Sequence, residues 1–218
     1  MPLPIAKTAA GLTAIGGVSG LGYLAVKNFP SREDNKSTIS KLFSEQGRTL
    51  LTKGVDTDQW NARWSEYSKE NVWNLKNSTP STGTAPETFI EKCISNAEVK
   101  VFGIEDPLYL DVVKYCSKDF TIEALIGENS GAELLNTADS QDTSGWAAAW
   151  KNYLRDNGAN ENPWNVTGWE SAKGDQSAPP SDFRTKCGSK KAEKAYGVKD
   201  SKFKNFVDWC TKVKTSQA

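Results

Sequence analysis

Two stretches decide how this chain folds: Trp60-Asn-Ala-Arg-Trp64-Ser-Glu-Tyr67 and Trp146-Ala-Ala-Ala-Trp150-Lys-Asn-Tyr153. Each sets three aromatic rings at i, i+4 and i+7, which is one face of an α-helix. Working outward, the matches continue in the same order. Thr38-Ile39-x-x-Leu42-Phe43-x-Glu45 pairs with Thr121-Ile122-x-x-Leu125-Ile126-x-Glu128, and Leu50-Leu51 with Leu134-Leu135. Phe89-x-x-Lys92-Cys93 pairs with Phe183-x-x-Lys186-Cys187, and Phe102-Gly103-Ile104-x-Asp106 with Tyr196-Gly197-Val198-x-Asp200. Tyr115-Cys116-x-Lys118 pairs with Trp209-Cys210-x-Lys212. The offset grows from 83 (Thr38 to Thr121) to 94 (Phe89 to Phe183), because the second copy carries a longer loop after its Trp-Trp-Tyr helix. Ordered self-similarity on this scale means one unit duplicated in tandem.

Each copy reads as four helices. Ser37 or Thr38 caps a first helix reaching about Leu51, and Thr57 or Asp58 caps a second that carries Trp60, Trp64 and Tyr67. A third starts at Pro86-Glu87, aligns Phe89, Cys93, Ala97 and Val101, and ends at Gly103. Asp106-Pro107 caps a fourth with Tyr109, Val112, Val113 and Cys116 on one face. No run alternates with period two for long enough to argue a sheet. The expected fold class is all-α: an N-terminal transmembrane helix, then two tandem repeats of a small four-helix unit, 38–118 and 119–214.

The four cysteines fall two to a unit. Cys93 and Cys116 lie equidistant from the Gly103–Asp106 turn, and Cys187 and Cys210 from the Gly197–Asp200 turn. Equidistant residues of an antiparallel hairpin share a height, so each pair is placed for a disulfide that clasps the open end. Buried free thiols are the alternative, since Cys also packs as a small hydrophobe. Disulfides belong to oxidising compartments, which puts the repeats outside the cell.

Ahead of the repeats, Thr8–Val26 (TAAGLTAIGGVSGLGYLAV) carries no charge and is bracketed by Lys7 and Lys27. About 20 such residues span a bilayer, and Gly16-x-x-x-Gly20 suits close helix approach in lipid. Residues 1–27 therefore read as a single-pass membrane anchor and 28–37 as a polar linker. The alternative is a signal segment cleaved from a secreted protein, although an apolar core of this length exceeds the usual 7–15 residues.

The composition excludes whole classes of chemistry. With no histidine there is no His base, no Ser-His or Cys-His pair and no His metal ligand. No Cys-x-x-Cys pair is present for zinc. No catalytic residue, cofactor site or metal site is expected, and the chain does not read as an enzyme. Lys+Arg and Asp+Glu number 27 each, so no whole-chain basicity points to nucleic acid. The charge is nonetheless segregated. Residues 119–150 hold six acids and no base, whereas 183–214 hold ten bases and three acids, among them Lys186, Lys190 and Lys194 at i+4 spacing. Either this is a basic face for nucleic acid or anionic lipid, or the acidic and basic parts of one unit face each other. The long loop of the second unit adds Trp164 and Trp169, candidate partner contacts or staples of the loop on the bundle.

Taken together, the Gly-rich anchor, short polar linker, Leu-Leu…Trp…Tyr helix and Phe-x-x-Lys-Cys…Cys hairpin resemble the large paralogous families of membrane-associated or surface proteins in haemotrophic mycoplasmas. The resemblance spans nearly the whole chain. It implies a surface-exposed, antigenically variable protein contacting host or neighbouring surface molecules, and it brings no catalytic residues. The alternative is an intracellular domain using the basic 183–214 face to bind nucleic acid or anionic lipid.

Overall fold

The computed structural model describes residues 35–76, 83–129, 131–138, 141–158 and 160–214. The anchor expected at 8–26 lies outside them. Among the described residues no helix is long and apolar enough to cross a membrane.

The described part is mostly helical. The first unit contains α1 (Ile39–Gln46), α2 (Thr57–Glu70), α3 (Glu87–Ala97) and α4 (Pro107–Cys116). The second contains α5 (Ile122–Asn129), α6 (Thr143–Asn157), the one-turn α7 (Trp169–Ala172), α8 (Ser181–Lys190) and α9 (Ser201–Cys210). The local reasons are those of the sequence. The Thr38 hydroxyl accepts from the Lys41 amide at the start of α1, and the Asp106 and Asp200 carboxylates accept from Leu108 and Lys202 at the starts of α4 and α9. Gly47, at φ 68°, ends α1 in the left-handed conformation that glycine adopts without strain.

Four expectations are corrected. The first helix stops at Gln46 rather than near Leu51, and the third at Ala97 rather than Gly103. Val101 is buried as expected, but from a strand. The fold is also not purely α. Strands β1 (Ser37–Thr38) and β2 (Lys100–Val101) pair antiparallel, as do β3 (Phe120–Thr121) with β5 (Lys194–Ala195), and β4 (Ala132–Leu134) with β6 (Thr211–Val213). Two or three residues give no readable alternation, which is why the sequence is silent about them. Ser37, expected in the linker, is already in β1.

Two hydrophobic cores follow the duplication. One gathers Ile39, Phe43, Trp60, Trp64, Tyr67, Phe89, Val112 and Tyr115; the other gathers Ile122, Leu125, Trp146, Trp150, Tyr153, Phe183, Phe206 and Trp209. The duplication extends to single hydrogen bonds. The Trp60 indole donates to the Thr52 carbonyl as Trp146 does to Asn136. Asp56 accepts from the Thr52 amide and pairs with Lys118, as Asp142 does with the Asn136 amide and Lys212. The Leu51 amide donates to Cys116 O as that of Leu135 does to Cys210 O.

Candidate functional site

The features that could serve a function are the clasped hairpins, the loop tryptophans, the basic segment and the clefts between them. In the hairpins, Cys93 bonds Cys116 and Cys187 bonds Cys210, with Cα separations of 5.7 and 5.6 Å. The described residues include no free cysteine. All four sulfurs lie on the apolar faces and are buried. Closing a chain segment of this length stabilises by about 3 kcal/mol, chiefly through the unfolded state in the entropy model.

The tryptophan loops hold a repeat that the sequence reading passed over: Asn71-Val-Trp73-Asn74-Leu75 and Asn162-Pro-Trp164-Asn165-Val166. The Asn162 side-chain oxygen accepts from the Tyr153 hydroxyl at 2.8 Å and from the Val166 amide at 2.9 Å, while its amide donates to Val166 O. Asn71 makes the same three bonds with Tyr67 and Leu75. The Trp73 and Trp164 amides each donate to that tyrosine oxygen at 3.2 Å. Asn74 and Asn165 then turn the chain at φ 53° and 49°, a conformation that Asn tolerates better than most residues. Burial pushes both tyrosine phenols above their ordinary pKa, so each keeps the proton that it donates.

The candidate contact residues separate accordingly. Trp169 is 5% exposed, edge-on to Trp150 at 5.9 Å and to Tyr153 at 6.1 Å. It is a core residue and offers no contact surface, so the staple reading holds for it. Trp164 is half-buried against Trp209 at 4.9 Å and Tyr153 at 5.7 Å, with the Lys190 ammonium over its ring at 5.0 Å. Two of the candidates are thus brought together, and they contact each other. Lys190 also pairs with Glu193 at 3.0 Å. Lys186 is half-buried on α8. Lys194 does not continue the helical row, because α8 ends at Lys190 and Lys194 lies exposed in β5.

The acidic and basic segments face each other. Lys191 meets Glu123 at 2.9 Å, Lys212 meets Asp142 at 2.7 Å, and Glu133 stands opposite Lys212 in the β4–β6 ladder. The Lys212 ammonium and the Asn136 amide hold the Asp142 carboxyl below its ordinary pKa.

The chain matches no family model, no curated protein and no solved structure.

The clefts therefore have to be read from their own walls. One of about 590 Å³ opens over the Cys187–Cys210 bond, between Glu133, Gln141, Asp142, Lys191 and Lys212. Its counterpart over Cys93–Cys116 is only about 100 Å³, and Ile94 lines it. In register, Ile94 corresponds to Gly188, so loss of that side chain widens the recess. A second cleft, about 520 Å³, is lined by Lys151, Arg155, Trp169 and Lys173. Arg155 pairs with Asp156, and Lys173 with Glu170. Among the described residues no three His, Cys, Asp or Glu side chains converge to hold a metal ion.

Proposed function

We propose that the chain is a non-enzymatic interaction module, held to the cell membrane by residues 8–26 and displaying its two repeats outside the cell to host or neighbouring surface molecules. The observation that carries this reading is the pair of disulfides at matched positions. Structural disulfides form and persist outside reducing compartments. The charge-free stretch ahead of the repeats has the length of a membrane span. The paired charges of the second unit weigh against a basic docking face. Lys190, Lys191 and Lys212, three of the ten bases in 183–214, are occupied by carboxylates of the same unit.

Labelling of intact cells with a membrane-impermeant amine reagent tests the display, because the exposed lysines are numerous. Labelled repeat peptides before lysis are expected; labelling only after lysis overturns the reading. Thiol blocking before lysis, followed by non-reducing mass spectrometry, should return linked Cys93–Cys116 and Cys187–Cys210 peptides. Free thiols in the native cells would overturn it as well.

A further inference from the structure

The two repeats carry the same hairpin tip in different surroundings. In unit two the turn Tyr196–Gly197–Val198 sits on the end of α1 and makes the contact between the units. The Arg48 guanidinium lies over the Tyr196 ring at 3.9 Å, and the Lys199 ammonium donates to Glu45 O at 2.6 Å. Gly197 is buried so closely against Gly47 that an added Cβ would collide with the Gly47 carbonyl oxygen. The matching turn of unit one, Phe102–Gly103–Ile104, is open. One face of the Phe102 ring carries the Lys36 ammonium at 5.0 Å, and with that contact in place the residue is still 60% exposed. Ile104 is 39% exposed, and Leu110, one turn into α4, 51%. A Cβ on Gly103 would meet nothing within 4 Å.

This apolar tip lies where the described chain begins. Thr38 stands opposite Lys100 and Ser37 opposite Val101 in the β1–β2 ladder, and Lys36 then lies on Phe102. Upstream, the charge-free stretch 8–26 ends ten residues before Lys36. Ten residues reach at most about 36 Å when fully extended. A bilayer crossed by 8–26 is therefore always within short reach of Phe102, and a tether of that length populates even a weak contact.

The chemistry of the tip suits the lipid boundary. Phe, Ile and Leu side chains partition into the zone between headgroups and acyl chains, and a lysine beside them keeps its ammonium at the polar level. Lys36 and Lys100 are balanced by Glu98 and Glu105 around the turn, so apolar burial rather than attraction to anionic headgroups drives the contact. The clasped end of the hairpin lies away from the tip by the ten residues of α4, about 15 Å. The loop holding Val55 belongs to that far end, because the Leu51 amide donates to Cys116 O and Asp56 pairs with Lys118.

We propose that the Phe102–Gly103–Ile104 tip inserts into the headgroup boundary of the bilayer that residues 8–26 cross, so that unit one stands tip-down on the lipid with its disulfide end pointing away. This rests on the reading of 8–26 as a membrane span.

The full chain, reconstituted in phosphatidylcholine vesicles and floated on a density gradient, tests it. Both native cysteine pairs are bonded, so one added thiol takes an environment-sensitive dye selectively. Gly103→Cys puts the dye on the tip, and Val55→Cys puts it at the exposed far end. On floating vesicles the tip dye should shift to the blue and be quenched by lipids that carry a nitroxide near the headgroup. Its iodide quenching constant should be several-fold lower than that of the Val55→Cys dye. Adding Phe102→Glu and Ile104→Glu, with the fold checked by circular dichroism, should bring the tip dye to the Val55→Cys values while the chain still floats. A floating chain whose tip dye meets iodide as freely as the Val55→Cys dye overturns the proposal and leaves the anchor standing. A tip dye unchanged by the two glutamates overturns it as well. So does a tip dye shielded from iodide yet untouched by the nitroxide lipids, as cover by residues 28–34 or by a second copy would give. A chain that does not float with the vesicles overturns the anchor and the proposal together.

Discussion

Replacing Gly197 by alanine, with the same change at Gly103 as its control, tests the unit–unit contact directly. The two glycines occupy the same place in the repeated motif, yet their surroundings differ completely. At Gly197 the backbone has φ 154°, a region that L-residues rarely adopt, which costs about 1–3 kcal/mol. The new methyl would also collide with a backbone oxygen, Gly47 O, which no side-chain rotation can relieve. Overpacking of this kind costs roughly another 1–3 kcal/mol. A total of about 2–6 kcal/mol, at about 2–4 °C per kcal/mol when the two repeats unfold together, lowers Tm by about 4–24 °C. At Gly103 the methyl meets open space, so the expected change is near zero, or a gain of about 0.4–1 kcal/mol from a stiffer unfolded chain. Thermal unfolding followed by far-ultraviolet circular dichroism and by tryptophan fluorescence reads both variants. The reasoning fails if Gly197→Ala melts with the wild type, or if Gly103→Ala falls as far.

Reducing both disulfides removes about 3 kcal/mol from each unit; replacing Cys93 and Cys116 by serine should therefore lower the denaturant midpoint without changing the helical signal of the folded state, and an unchanged midpoint would show that the hairpin is held by packing alone. The acid limb of stability should be shallower in Asp142→Asn. Lys212 and the Asn136 amide depress the folded pKa of Asp142, so its contribution is complete above the unfolded value of ~3.9 and is lost as pH falls through the lower folded value. Melting curves collected from pH 6 downward should converge for variant and wild type once the pH has fallen below the depressed folded value, with the variant less stable at neutral pH; parallel curves would refute the assignment.

How much of this was written in the sequence depends on the length over which a signal repeats. Trp60, Trp64 and Tyr67 announce α2 because three large rings at helical spacing leave no other period, and the equidistance of Cys93 and Cys116 from their turn announces the clasp. The strands are silent because β2 and β5 are two residues long. Trp169 carried two readings, partner contact or staple, because loop membership alone does not say which way a ring faces; the loop turns inward and delivers the ring to Trp150. The Asn-x-Trp-Asn motif could have been found: it is the same pattern at an offset of 91, between the 86 of Trp60 to Trp146 and the 94 of Phe89 to Phe183. The unit–unit contact had a visible marker too, in Gly47 and Gly197. A glycine says only that something comes close or that the backbone turns left, and two distant glycines do not say that they meet.

The Asn71 and Asn162 pins also bear on how such a module changes over time. The extra length of the second unit falls on either side of its pin: Tyr153 to Asn162 spans nine positions against four from Tyr67 to Asn71, and Val166 to Phe183 spans seventeen against fourteen from Leu75 to Phe89. The pinned pentapeptide keeps its three bonds in both copies, so lengthening the chain beside it leaves the aromatic interior in register. A scaffold fastened in this way can gain or lose outer loops by small genetic steps without refolding its centre, and diversity accumulates where it is least costly to the rest of the molecule.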